Sequence, residues 1–212
     1  MYFRDAIESY VEEPLPMQVL LHVLRDYKRP YDKINELVKK EELTAIKKGL
    51  YIPGPASKTA GPEAFLVANH LRGPSYVSAE SALSFHGYIP ERVYEIRSAT
   101  TKTAKTYQTP LGRFSYFTTP LPYYAFGIQR VELTERQAVL MATPEKALCD
   151  TIISTSGVLL RSQRQARAFL TDDLRIDEAM LSELNRGVIE SWINDAPKRT
   201  SLQILVKTLE RL

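Results

Sequence analysis

Nucleophilic or acid–base catalysis needs histidine, cysteine, serine or paired carboxylates converging on one point, and this 212-residue chain offers few of them. The histidines are His22, His70 and His86. His22 sits in the apolar stretch MQVLLHVLRDY, where a packed or half-exposed ring is expected. His70 and His86 fall near the ends of predicted helices, where an imidazole interacts with the helix dipole. Ser78 or Ser81 with His86 and Asp150 has the composition of a triad but lacks a nucleophile elbow. Glu80, Glu95 and Lys102 have the composition of a nuclease-type metal site. No P-loop and no GxGxxG is present to cradle phosphate, and the lone Cys149 excludes an internal disulfide and a cysteine-based zinc site. The expectation is a protein that is not an enzyme, with no catalytic residue, metal or cofactor.

The chemistry that the sequence does offer is cationic. Residues 42–54 read ELTAIKKGLYIPG, two short apolar segments flanking Lys47-Lys48-Gly49. A tight hairpin needs the glycine for a positive φ angle. The two lysines are more than a turn requires, although any solvated tip tolerates them. Charge is unevenly spread along the chain. Residues 1–52 hold nine Lys/Arg and nine Asp/Glu, 143–212 hold ten of each, and the surplus lies in 53–142, with nine against six. Between Glu95 and Glu132 there is no carboxylate, while Arg97, Lys102, Lys105, Arg113 and Arg130 fall there. A basic patch is expected from that segment. The bland alternative is a basic sheet edge that discourages edge pairing.

These cations need elements to position them. Phe3, Ile7, Tyr10 and Val11 recur every three to four residues, predicting a helix over 1–13 that Pro14 and Pro16 end. Met17, Leu20, Leu21 and Leu24 predict a buried helix over 17–27. Pro30 opens a third over 31–43, packed by Ile34, Leu37 and Val38, with Lys33, Asn35, Glu36, Lys39 and Lys40 on its outer face. Three helices and a hairpin within about fifty residues is the plan of a winged helix-turn-helix, whose third helix enters the major groove while the wing meets the backbone. Lys47, Lys48 and Gly49 then make a wing tip with cations for phosphate. Winged helices also serve as protein-interaction modules, and the neutral charge of 1–52 weighs against strong DNA binding.

Pro53-Gly54-Pro55 begins a short linker. Helices are predicted over 61–73 and 75–87, the second capped by Ser78. Short segments rich in Tyr, Val, Phe, Ile and Thr follow from Val93 to Met141. They are VYEIRSA, KTYQTP, RFSYFTT, YYAFGIQRVEL and RQAVLMA, with a hairpin bend at Pro110-Leu111-Gly112 and Tyr107 and Tyr116 among its cross-strand contacts. Thr143, Pro144 and Glu145 open a helix over 142–153 as N-cap, first residue and first-turn carboxylate, with Ala147, Leu148, Thr151 and Ile152 facing inward. Four more helices are predicted near 161–171, 177–185, 187–194 and 199–211.

GLYIPG, then YVSAESALSFHGYIPE, then a Tyr-rich hairpin, then VLMATPEKALCD, in this order and spacing, resemble the AbiEi antitoxin family of abortive-infection, type IV toxin–antitoxin systems. The resemblance runs from about residue 15 to 155. It implies an N-terminal winged helix-turn-helix that binds its own promoter in double-stranded DNA and represses transcription. It also implies a C-terminal domain that opposes a nucleotidyltransferase-like toxin encoded nearby, without a stable complex. On that resemblance Lys33, Lys39 and Lys40 match the third helix, Lys47, Lys48 and Tyr51 match the wing, and Arg29 reaches a phosphate at the start of the helix. Asp32 and Glu36 depart from a basic groove-facing surface, because they repel phosphate unless they accept from cytosine amino groups. SAESAL and TPEKAL read as structural.

The fold expected is α+β: a winged helix-turn-helix over 1–56, then a mixed α/β domain over 57–212 with a small antiparallel sheet and a helical C-terminal end. The alternative function is a stand-alone winged-helix regulator whose second domain binds a protein, or a ligand among Tyr107, Tyr116, Tyr123 and Tyr124, though such tyrosines also fill cores. Arg97, Lys102, Lys105 and Arg113 form the candidate patch for a partner, RNA or other nucleic acid. A hydrophobic fraction of 44% and a charged fraction of 25% are those of an ordinary globular protein. No apolar run has the length of a membrane span and no signal-peptide core follows Met1, so a cytoplasmic location and no membrane partner are expected.

Overall fold

The computed structural model describes Ile7, Tyr10, residues 12–90 and residues 94–211. The helix expected over 1–13 falls largely outside the described residues. The protein is α+β. Strand β1 (Leu15–Pro16), helix α1 (Met17–Val23), helix α2 (Pro30–Lys39) and the hairpin strands β2 (Leu43–Lys47) and β3 (Leu50–Pro53) come first. These three strands form a sheet in the order β1-β3-β2, both pairs antiparallel. Helix α2 begins at Pro30, whose missing N–H costs nothing in the first turn. It stops at Lys39, short of the expected Leu43, because Glu41 turns left-handed (φ 57°) and Leu43 enters β2.

Leu15, Leu20, Leu24, Ile34, Leu37 and Leu43 are buried together with Ile7 in a small core. Each such leucine or isoleucine contributes about 1.5–3 kcal/mol by leaving water. The hairpin's other apolar face, Ile46, Leu50 and Ile52, joins the larger core of the chain instead. The hairpin therefore lies between the two cores.

The rest of the chain follows in order. Helix α3 (Ala64–Leu71), strand β4 (Ser75–Val77) and helix α4 (Ala79–Phe85) precede strands β5 (Glu95–Thr100), β6 (Lys105–Thr109), β7 (Gly112–Thr118), β8 (Ile128–Glu132) and β9 (Ala138–Ala142). Helices α5 (Pro144–Ser154), α6 (Gln163–Ala168), α7 (Glu178–Ser182), α8 (Arg186–Trp192) and α9 (Arg199–Leu209) complete it. The sheet has six strands in the order β6-β7-β5-β4-β9-β8. It is mixed, which corrects the expected small antiparallel sheet: β5 runs parallel to β7 and β4 parallel to β9. Strand β4 was not expected at all. Its three residues are buried, so it carries no alternation to read. Residues 123–125 form a short 3₁₀ turn rather than a strand, just after the two prolines that frame Leu121.

The β6–β7 hairpin matches its expected bend, and the Tyr107 and Tyr116 rings meet edge-on at 5.8 Å. Thr143 caps α5 as expected, accepting from the Lys146 N–H, with Pro144 and Glu145 in the first turn. Ser78 precedes α4, but its hydroxyl makes no cap bond. A cation closes the C-terminal end of α5 and the turn after it: Lys198 Nζ donates to the carbonyls of Ile152, Thr155 and Val158 at 2.8–2.9 Å. Among the described residues no helix is long and apolar enough to cross a membrane.

Candidate nucleic-acid interface and a buried charged network

Helix α2 buries Ile34 and Leu37 and turns its other side to solvent. Tyr31, Asn35 and Lys39 are exposed and four residues apart, so they stack along one face. Tyr31 is 59% exposed. The other cations in α2 and at its two caps are held by carboxylates. Lys33 and Lys40 both grip Glu36, at 3.1 and 2.6 Å, and Arg29 stands 3.5 Å from Asp32. Those two bonds hold the Glu36 carboxyl below its ordinary range. Lys33 also sits 5.5 Å from the Tyr27 ring centroid. Lys39 forms no ion pair among the described residues.

The hairpin turn is Lys48-Gly49. Gly49 takes φ 83°, the conformation that a side chain disfavours, and its carbonyl accepts from Met17 N–H at 2.9 Å. Lys48 is exposed at the tip, and Tyr51 is half-buried against the small core. Lys47 is different. It is half-buried, and its ammonium donates to the Leu71 carbonyl at the end of α3.

That contact brings the tip to a second group of cations. Lys102 Nζ donates to the Gly73 carbonyl at 2.5 Å, and Arg72, between those two carbonyls, donates to the Thr103 carbonyl and hydroxyl at 2.5 and 3.0 Å. Lys105 stands 4.8 Å from the Tyr107 ring centroid. Cations at a helix C-terminus satisfy its last carbonyls and its dipole. Here they also crowd each other. Burial lowers the pKa of Lys47; nearby Tyr107 opposes this, and Lys102, Lys105 and Arg72 add to it. Burial raises the Tyr107 phenol, but Arg72, Lys105 and Lys47 pull it to a net value below the ordinary one. Among the described residues none of Lys47, Arg72, Lys102 and Lys105 pairs with a carboxylate.

The four residues expected as one basic patch thus divide. Lys102 and Lys105 join Lys47 and Arg72, and Arg72 was not singled out in the sequence because only folding carries it to the hairpin. Arg97 and Arg113 are engaged elsewhere. Arg97 pairs with Glu80, donates to Ser154 Oγ at 2.8 Å and covers the Phe117 ring. Arg113 pairs with its register partner Glu95 at 3.1 Å.

Beneath the sheet lies a charged pair that the sequence pattern hid. Lys146 and Asp150 face inward from successive turns of α5 and are both 0% exposed, 3.3 Å apart. The Tyr76 and Ser78 hydroxyls donate to Asp150 Oδ2 at 2.9 and 2.7 Å, and the Tyr123 hydroxyl donates to Oδ1 at 3.0 Å. Lys146 Nζ also donates to the Tyr123 carbonyl at 2.9 Å. The carboxylate thereby receives three hydroxyls and an ammonium, as a buried charge requires. Burial lowers the pKa of Lys146, and Asp150 opposes that shift. Burial, then the Asp150 charge, raises Tyr76 and Tyr123. Gly127 lets the chain pass here: at φ 61°, a Cβ on it would lie 2.6 Å from Lys146 Cβ.

The residues of three arrangements drawn from composition are held as follows. Ser78 meets Asp150 directly, and His86 Nε2 lies 3.0 Å from the Ala142 carbonyl, so no serine–histidine–aspartate relay forms. Glu80 and Glu95 are each tied to an arginine and Lys102 to a carbonyl. Among the described residues no three His, Cys, Asp or Glu side chains cluster to hold a metal. Tyr116 and Tyr123 are buried with their hydroxyls bonded to the Ala68 carbonyl and Asp150. Two surface cavities among the C-terminal helices, of about 410 and 310 Å³, have no tyrosine in their lining. No protein-family model matches this chain, and no curated protein matches it.

Proposed function

We propose that this chain is a DNA-binding transcriptional autoregulator, with a winged helix-turn-helix over 1–56, and the antitoxin of a type IV toxin–antitoxin system. The observation that carries the DNA reading is the order α1, α2, β2, β3 closed by β1 into a sheet, with Tyr31, Asn35 and Lys39 exposed along α2 and Lys48 exposed at the tip. In this reading α2 enters the major groove. Asn35 has the paired donor and acceptor that recognise adenine, and Lys39 and Lys48 neutralise phosphates. The paired carboxylates Asp32 and Glu36 lower the non-specific attraction of the helix, which favours discrimination between sequences. The antitoxin half is supported by the AbiEi resemblance of residues 15–155. The second domain opposes a nucleotidyltransferase-like toxin encoded nearby.

Footprinting of the gene's own upstream DNA tests the first half. A protected site that Asn35→Ala blurs is expected, while equal protection of any sequence contradicts it. Co-expression with the neighbouring nucleotidyltransferase-like protein tests the second: growth rescued by the full chain is expected, and growth arrest despite the full chain contradicts it.

A further inference from the structure

We propose that Lys47, Arg72, Lys102 and Lys105 form a phosphate-binding extension of the hairpin tip, through which the second unit holds the backbone of the same DNA duplex. This rests on the reading of residues 1–56 as a DNA-binding winged helix. The cations come from four places in the chain: the end of β2, the turn after α3, the β5–β6 loop and strand β6. Two lysines donate to carbonyls only two residues apart, Leu71 and Gly73, and Arg72 lies between them. A lysine ammonium has three donors and a guanidinium five, so each keeps donors for an anion after these bonds. Segment 96–131 contributes no carboxylate to neutralise them.

A basic sheet edge that merely prevents edge pairing accounts for Lys105 on β6, the outermost strand, but not for Arg72 or Lys102, which lie outside the sheet. Arg72, Lys105 and Lys47 surround the Tyr107 phenol and together outweigh its burial, holding its pKa below the ordinary value. Duplex DNA is the occupant that fits. The cluster is continuous with the exposed tip lysine Lys48 through Lys47, so a duplex whose backbone meets the tip continues over it. Single strands are gripped by stacking on aromatic faces. The aromatic ring here, Tyr107, already has Lys105 over it and Tyr116 at its edge.

The test is fluorescence anisotropy of the full chain on labelled upstream duplex and on scrambled duplex, from 50 to 200 mM salt. It compares wild type, Lys48→Gln and Lys102→Gln/Lys105→Gln. Lys102 and Lys105 are both exposed, and thermal melting checks that each variant is folded. Loss of two phosphate contacts should flatten the log–log salt slope by roughly two, so the affinity lost over this salt range shrinks about ten-fold, equally on both duplexes. Lys105→Gln alone should flatten the slope by roughly one, about a three- to four-fold change over this range.

If Lys48→Gln flattens the slope and the double variant leaves it unchanged, the extension is wrong and the winged-helix reading stands. No duplex binding by wild type at 50 mM salt overturns both. Binding of single-stranded DNA or RNA ten-fold tighter than duplex, lost in the double variant, overturns the duplex as occupant.

Discussion

Replacing Asp150 by asparagine should be among the most damaging isosteric changes available to this chain. The substitution keeps the shape of the side chain and removes its charge. Lys146 is then left at 0% exposure with no counter-ion. The amide also has one acceptor oxygen where the carboxylate has two. It cannot accept from Tyr123 on one side and from Tyr76 and Ser78 on the other at the same time. Breaking a buried pair by removing one partner costs about 3–5 kcal/mol. Global stability is typically about 5–15 kcal/mol, so this is a large share of it. For a chain of this size the melting temperature should fall by roughly 6–20 °C.

Denaturation in urea, followed by circular dichroism, measures the cost. Lys146→Met alone should cost a similar amount, by stranding the carboxylate. The double variant Lys146→Met/Asp150→Asn should recover at least about 1 kcal/mol relative to the sum of the singles, because neither charge is then left alone. A cost below about 0.5 kcal/mol for Asp150→Asn, the level of an ordinary surface change, would show that Lys146 does not depend on the Asp150 charge.

Other outcomes follow from the same geometry. Glu36→Gln removes an anion from α2 and frees Lys33 and Lys40; binding to any duplex should tighten and the salt slope steepen by about one to two, measured by anisotropy. Leu37→Ala, in the small core, should cost about 2–5 kcal/mol in urea denaturation and abolish DNA binding at temperatures where the variant melts. Burial pushes the Cys149 thiol from 9.0 up to about 12. The folded state therefore holds a proton that the unfolded state loses first. The contribution is complete below pH 9 and lost as the pH rises towards 12, about 1.4 kcal/mol for each unit. Melting curves from pH 8 upward should fall more gently for Cys149→Ala; identical slopes would contradict it.

The sequence was legible where structure is local. The face of α2, the hairpin with Gly49, the β6–β7 bend and the Thr143 cap each follow from residues within a few positions of one another. Long-range pairing was not legible. The parallel partnerships of β4 with β9 and β5 with β7 join segments with no local signal for each other. Lys146 and Asp150, four apart on a helix, have the spacing of a solvent-exposed ion pair. The hydroxyls that allow their burial come from positions 76, 78 and 123, set by the sheet. The candidate interface divides in the same way. Lys48 was readable as a tip cation, but Arg72 joined the group only because folding carries Lys47 to the end of α3.

The proposed function stands on α2 and the hairpin tip holding DNA. Its most direct test is the salt dependence of anisotropy on the gene's own upstream duplex against scrambled duplex, for wild type and Lys39→Ala/Lys48→Ala. Both lysines are exposed and without ion-pair partners among the described residues. Tighter binding to the upstream duplex is expected, with a slope flattened by roughly two in the variant. Equal binding to both duplexes, or a slope indifferent to the two lysines, would contradict it.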